Sequence, residues 1–296
     1  MTPPAPAHDI LAVTIPRTKL MSAAVLMGLL AGCGPGSRFA LATVVANRDG
    51  AGNVTMLGSV MVADSPGAPF HQAVHTSQLE ASVSPVDLPP LNVCRVYDDV
   101  TVGASLASFT LLDPGDAWVT APGGEVLNLA PESPPGINGL AMRGAAVEAD
   151  LPFEPGQRYQ INGAGAEAPG FAAEIEAPPD FEIQTIGVAG MGPGTIDLHR
   201  TRDLKLVWSP GSDADFYVTV AVTDPSPGSM VCRLSDTGEY TIKDKIVEGL
   251  PLGTGLMFFE RIYDANFKTQ IGPPEGRQIP ARIRFASRWT AKIEVK

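Results

Sequence analysis

From residue 39 onward, apolar and polar positions alternate with a period of two over short runs broken by turn residues. This is the pattern of strands with one face turned to a core. Residues 39–47 predict a strand, Asp49-Gly50-Ala51-Gly52-Asn53 a turn, and 54–62 a returning strand. Further strands are predicted at 79–83, 92–97, 108–112, 117–120, 125–129, 158–162 and 171–175. Asp113-Pro114-Gly115-Asp116 and Glu154-Pro155-Gly156-Gln157 carry the Pro and Gly that tight turns demand. The alternation is clearest after Ala177-Pro178-Pro179-Asp180. Leu204, Leu206 and Trp208 share one face, as do Phe216, Val218, Val220 and Val222, and Met230, Cys232 and Leu234. Residues 243–250 predict a short helix before a strand at 256–263. The expectation is an all-β chain with two β-sandwich domains, 39–178 and 179–296.

The last fifteen residues alternate without a break. Ile283, Phe285, Trp289, Ala291, Ile293 and Val295 fall on one face, and Arg282, Arg284, Arg288, Lys292 and Lys296 on the other. At about 3.3 Å per residue this run spans roughly 50 Å, long for one sandwich strand, which predicts a bend or break. Two readings of its basic face stand. Arg282, Arg284, Arg288 and Lys292 form a ridge for an envelope protein or an anionic polymer. Alternatively, the charges guard an edge strand against pairing with other chains, and this reading needs no partner.

The N-terminus is different in kind. Residues 1–16 are Pro-rich; Arg17 and Lys19 precede an uncharged apolar run over residues 20–30. Eleven residues are too few to span a bilayer and suit the apolar region of a signal peptide. The run ends in Leu30-Ala31-Gly32-Cys33, which resembles the lipobox of bacterial lipoproteins. The resemblance implies a signal peptide over 1–32, covalent lipid (diacylglyceryl and acyl chains such as palmitate) on Cys33, and a short tether over 33–38. Several acyl chains hold a protein where one exchanges. The absence of Asp at Gly34 implies the outer membrane, by the sorting rule of Gram-negative lipoproteins.

Composition narrows the functional classes. The 296 residues carry 32 Asp and Glu against 21 Lys and Arg, and loss of residues 1–32 brings the net charge from −11 to about −12. Such a chain repels nucleic acid, so no nucleic-acid partner is expected. With Cys33 lipidated, Cys94 and Cys232 remain, each in a Val-Cys-Arg phrase. They form an interdomain disulfide, or they are thiols buried in separate cores; both readings stand.

The search for chemistry finds weak signals. His71 and His75 have the i, i+4 spacing of a helical zinc site, but Gln72 stands where the general-base Glu belongs. His199 lies beside Arg200 and Arg202 and is expected to be solvated. Gly103-Ala104-Ser105-Leu106-Ala107 lacks the second glycine of a nucleophile elbow. Asp213, Asp215, Asp224 and Asp236 match no defined calcium spacing. No catalytic residue, metal or cofactor beyond the lipid is expected.

Leu206-x-Trp208-x-Pro210 with Tyr217-x-Thr219-x-Ala221 resembles strands B and C of fibronectin type III domains. Asp236-Thr237-Gly238-Glu239-Tyr240-Thr241-Ile242 resembles the tyrosine corner of immunoglobulin-like domains, with Ile242 in the place of the second Cys. The resemblance implies that the Tyr240 hydroxyl bonds back to the backbone and that the usual intersheet disulfide is missing. Residues 111–129 and 151–178 resemble a group of uncharacterised bacterial lipoproteins. The functional expectation is a non-enzymatic binding or scaffolding module at the membrane. An accessory subunit of an envelope or secretion assembly is the alternative, and a hydrolase or metalloenzyme stands further off.

Overall fold

The computed structural model describes residues 37–65, 89–97, 110–134, 138–187, 194–211, 215–269 and 279–296. The chain is all-β. Seventeen strands and one short helix are described, in the order β1 Ser37–Arg48, β2 Val54–Ser65, β3 Val93–Tyr97, β4 Thr110–Leu112, β5 Ala117–Thr120, β6 Val126–Glu132, β7 Ala141–Val147, β8 Arg158–Gly163, β9 Phe171–Glu176, β10 Ile183–Ile186, β11 Thr195–Leu198, β12 Leu204–Trp208, β13 Asp215–Pro225, β14 Gly228–Leu234, β15 Glu239–Ile242, α1 Asp244–Val247, β16 Gly253–Lys268 and β17 Pro280–Val295. Fourteen strands form one sheet, its main path running β3-β14-β13-β16-β17-β1-β2-β7-β6-β5-β8-β9, and β10-β12-β15 form a second.

Two hydrophobic cores lie along this sheet. In the first lobe the sheet curls through β7 and β6, so that β5, β6, β8 and β9 cover β1, β2 and β17. Val44, Met56 and Val60 there meet Val119, Ile161, Phe171 and Ile175. Gly58 and Gly144 face each other across β2 and β7. A Cβ on Gly58 would lie 2.9 Å from Leu129 and Val119, so the two glycines let the covering layer sit close to the backbone. In the second lobe the three-stranded sheet supplies Ile183, Leu206, Trp208 and Ile242 against Phe216, Val218, Met230, Phe259, Ile293 and Val295.

Residues 35–296 form one compact unit, and the chain only passes from one core to the other near 178/179. Ala177 belongs to the first core and Phe181 to the second. Yet Ile283 and Phe285 of β17 sit in the first core, and Cys94 of β3 sits in the second. β16 and β17 pair in unbroken register from Lys268 opposite Pro280 to Gly253 opposite Val295. This corrects the expected bend or break: the long run serves two cores in succession. It also corrects the edge-strand reading, because β17 lies between β16 and β1. Its β1 side is shared, with β1 parallel to residues 281–289 and β11 parallel to residues 292–295.

The expected half-buried character of β13 is corrected as well. Tyr217 and Thr219 are buried like Val218 and Val220 on the opposite face. Tyr217 joins Val45, Val231, Ile262 and Ala286 in a cluster on that face.

Candidate functional site: the polar junction between the cores

Arg261 is the centre of the junction. On β16 it points to the core side, in phase with Met257 and Phe259, where an unpaired guanidinium would be costly. All five of its N–H groups are matched. Nε donates to Asp236 Oδ2 at 2.7 Å, Nη1 to the Pro179 and Asp180 carbonyls at 3.1 and 2.8 Å, and Nη2 to the Ser209 carbonyl at 2.9 Å and Asp236 Oδ1 at 3.0 Å. Both charged side chains are almost wholly buried. Trp208 Nε1 donates to the same Asp236 Oδ1 at 2.7 Å, and its ring stacks on Phe216 at 4.4 Å. Gly211 leaves room for this pair, since a Cβ there would meet Asp236 Oδ2 at 2.4 Å.

A second guanidinium closes the other side. Arg48, at the end of β1, donates to Asp180 Oδ2 at 2.7 Å and lies over the Trp289 ring at 5.0 Å. Trp289 Nε1 donates to the Phe181 carbonyl at 2.6 Å, and Thr290 Oγ1 to Asn47 Oδ1 at 2.6 Å. The segment crossing between the lobes is therefore tied to β1, β16 and β17.

Cys94 and Cys232 face each other on neighbouring antiparallel strands, β3 and β14, and form a disulfide with Cα atoms 4.0 Å apart. The thiols do not belong to separate cores, because β3 leaves its own half of the chain and joins the second lobe's sheet. Asn92, with φ of 60°, fixes the entry. Its Oδ1 accepts from Ser235 N at 2.8 Å, and its carbonyl accepts from Tyr240 Oη at 2.9 Å.

That last bond corrects the expected corner, since Tyr240 reaches across to Asn92. A tyrosine bonds back to the backbone a few residues upstream in the first lobe instead. Buried Tyr159 donates to the Pro152 carbonyl at 2.6 Å and accepts from Glu154 N at 2.8 Å. Burial pushes its hydroxyl up to about 12. The sequence signal is the Glu154-Pro155-Gly156 turn just upstream of Tyr159, which marks the turn but not its tyrosine partner.

The arginines of β17 do not form an open ridge. Arg288 is buried and donates to Glu260 directly opposite, Nε to Oε1 at 2.8 Å. Arg284 holds Asp264 with two hydrogen bonds, and Arg282 reaches the same carboxylate at 3.4 Å. Lys292 is exposed. The strand's cations were legible, but their carboxylates come from β16 and appear only once the register is known.

His199 is exposed. Cys33, Ser105, His71, His75, Asp213 and the strand expected at 79–83 lie outside the described residues. Asp215 pairs with Arg233 at 3.1 Å and Asp236 with Arg261, so these carboxylates are committed to ion pairs. No cluster of three or more metal-ligating side chains occurs among the described residues, and no helix among them is long and apolar enough to cross a membrane.

No family model and no curated protein matches the chain. Among solved structures, it is similar to a Ca2+-stabilized adhesin that helps an Antarctic bacterium reach out and bind ice, at 10% identity over 89% of this chain and 75% of that one. The TM-score is 0.16, too low to indicate a shared fold.

Proposed function

We propose that the chain is a lipid-anchored module of a bacterial envelope, binding or scaffolding other components without catalysis of its own. The observation that carries this reading is the partition of the three cysteines. Cys94 and Cys232 are bonded to each other, which leaves Cys33 of Leu-Ala-Gly-Cys as the thiol outside the disulfide. A disulfide between residues 138 apart in sequence fits an oxidising compartment, as export requires. β1 begins at Ser37, four residues after Cys33, so folded protein follows the lipid site at once. The Trp208–Phe216 stack under two facing layers supports an immunoglobulin-like or fibronectin-like second lobe.

The test is expression of the full chain in a Gram-negative host fed an alkyne analogue of palmitate. The wild type should carry the label and sediment with membranes. Cys33→Ser should lose the label and leave the membrane fraction. A wild type without label would refute the anchor.

A further inference from the structure

We infer that the anchored chain stands on end, with the first lobe against the bilayer and the second lobe held away from it. This rests on the lipid reading of Cys33. The four residues from Cys33 to Ser37 reach at most about 14 Å. Ser37 pairs with Ser65, Lys268 pairs with Pro280, and β1 runs parallel to β17 from Ala40 opposite Ala281. The ends of β1, β2, β16 and β17 therefore gather at one end of the sheet, the end the tether reaches. From there β17 passes Phe285 in the first core, Trp289 at the junction and Val295 in the second core. Sixteen residues of strand carry the far end roughly 50 Å away.

Two further observations support the posture. The lobes do not hinge freely, because β16 and β17 cross the junction unbroken and Arg261 and Arg48 bind the crossing segment. Charge is also unequally divided. Residues 37–180 carry 17 Asp and Glu against 5 Lys and Arg, whereas residues 181–296 carry 14 of each. An acidic lobe tethered by its end to anionic headgroups exposes least of its surface to them when its long axis points away.

The test uses the full lipidated chain in vesicles of phosphatidylethanolamine and phosphatidylglycerol carrying a headgroup acceptor dye. A donor dye is placed on Lys268→Cys or on Lys245→Cys, without reductant so that the Cys94–Cys232 bond stays closed. Energy transfer should be at least three-fold greater from position 268 than from 245. Equal transfer, or the reverse order, in protein that floats with the vesicles overturns the posture and leaves the anchor standing. Protein that does not float refutes the anchor, and the posture with it.

Discussion

The two lobes solve one problem in different ways. Each must cover a sheet face with a second layer and close the resulting core. The first does so by shape. Facing glycines bring its layers together, Tyr159 pins a turn, and residues 37–180, which supply most of it, carry 17 Asp and Glu against 5 Lys and Arg. The second lobe is closed by directional links: an arginine with five matched donors, a tryptophan bonded to the same aspartate, and a disulfide. Small residues suffice where layers meet backbone to backbone. Where a lobe also receives the crossing segment and a strand from elsewhere in the chain, specific bonds fix the docking.

The comparison breaks first at Arg261. Arg261→Met leaves Asp236 buried and unpaired, and removing one partner of a buried pair costs about 3–5 kcal/mol. Urea unfolding measures this; a loss below about 1 kcal/mol would show that the network is dispensable. Next comes the double variant Cys94→Ser with Cys232→Ser, which should lose about 2–5 kcal/mol. Amide exchange should rise in β3 and β14 while β5 and β8 keep their protection; a uniform rise would show that the lobes are not stabilised separately.

Tyr159→Phe tests the first lobe. It leaves the Pro152 carbonyl and the Glu154 N–H without their partner, at a cost of about 1–3 kcal/mol. The sign with pH follows from the raised hydroxyl. Its stabilisation is complete below the unfolded value near 10 and is lost as pH rises through about 12. Thermal melts from pH 9 to 12 should therefore fall more steeply for the wild type than for the variant, and parallel curves would contradict the assignment.

The smallest effect belongs to the exposed β1–β2 turn. The Asn53 side-chain amide, with backbone N–H donors, holds the Asp49 carboxyl below its ordinary value. Its contribution is present above about pH 4 and disappears as pH falls through the lowered value. Asp49→Ala should change stability by no more than about 0.5 kcal/mol at neutral pH. A difference that persists at pH 2 would rule out the carboxylate as its source.

Much of the strand content was legible because period-two alternation is local. β5, β8, β9, β12 and the β1–β2 hairpin lie where the pattern places them. β7, β10 and β11 were not predicted. β7 reads Ala-Met-Arg-Gly-Ala-Ala-Val, in which glycine and alanines carry little contrast, and the other two are four residues each. At the junction, Trp208 was legible as a core residue. Arg261 was not, since a buried cation reads as a surface one until its five acceptors are in place.

The all-β class and the Leu-Ala-Gly-Cys mark at Cys33 that sets the functional reading are written locally in the chain. These depend on neighbours within a few residues. Strand pairing in three dimensions makes the cores share one sheet, carries β3 to the far lobe and so brings Cys94 to Cys232, and sets the β17 arginines against β16 carboxylates. Each of these depends on which strands pair and in what register. That choice is made by long-range contacts between residues as much as 243 positions apart, as in the bond between Asn47 and Thr290.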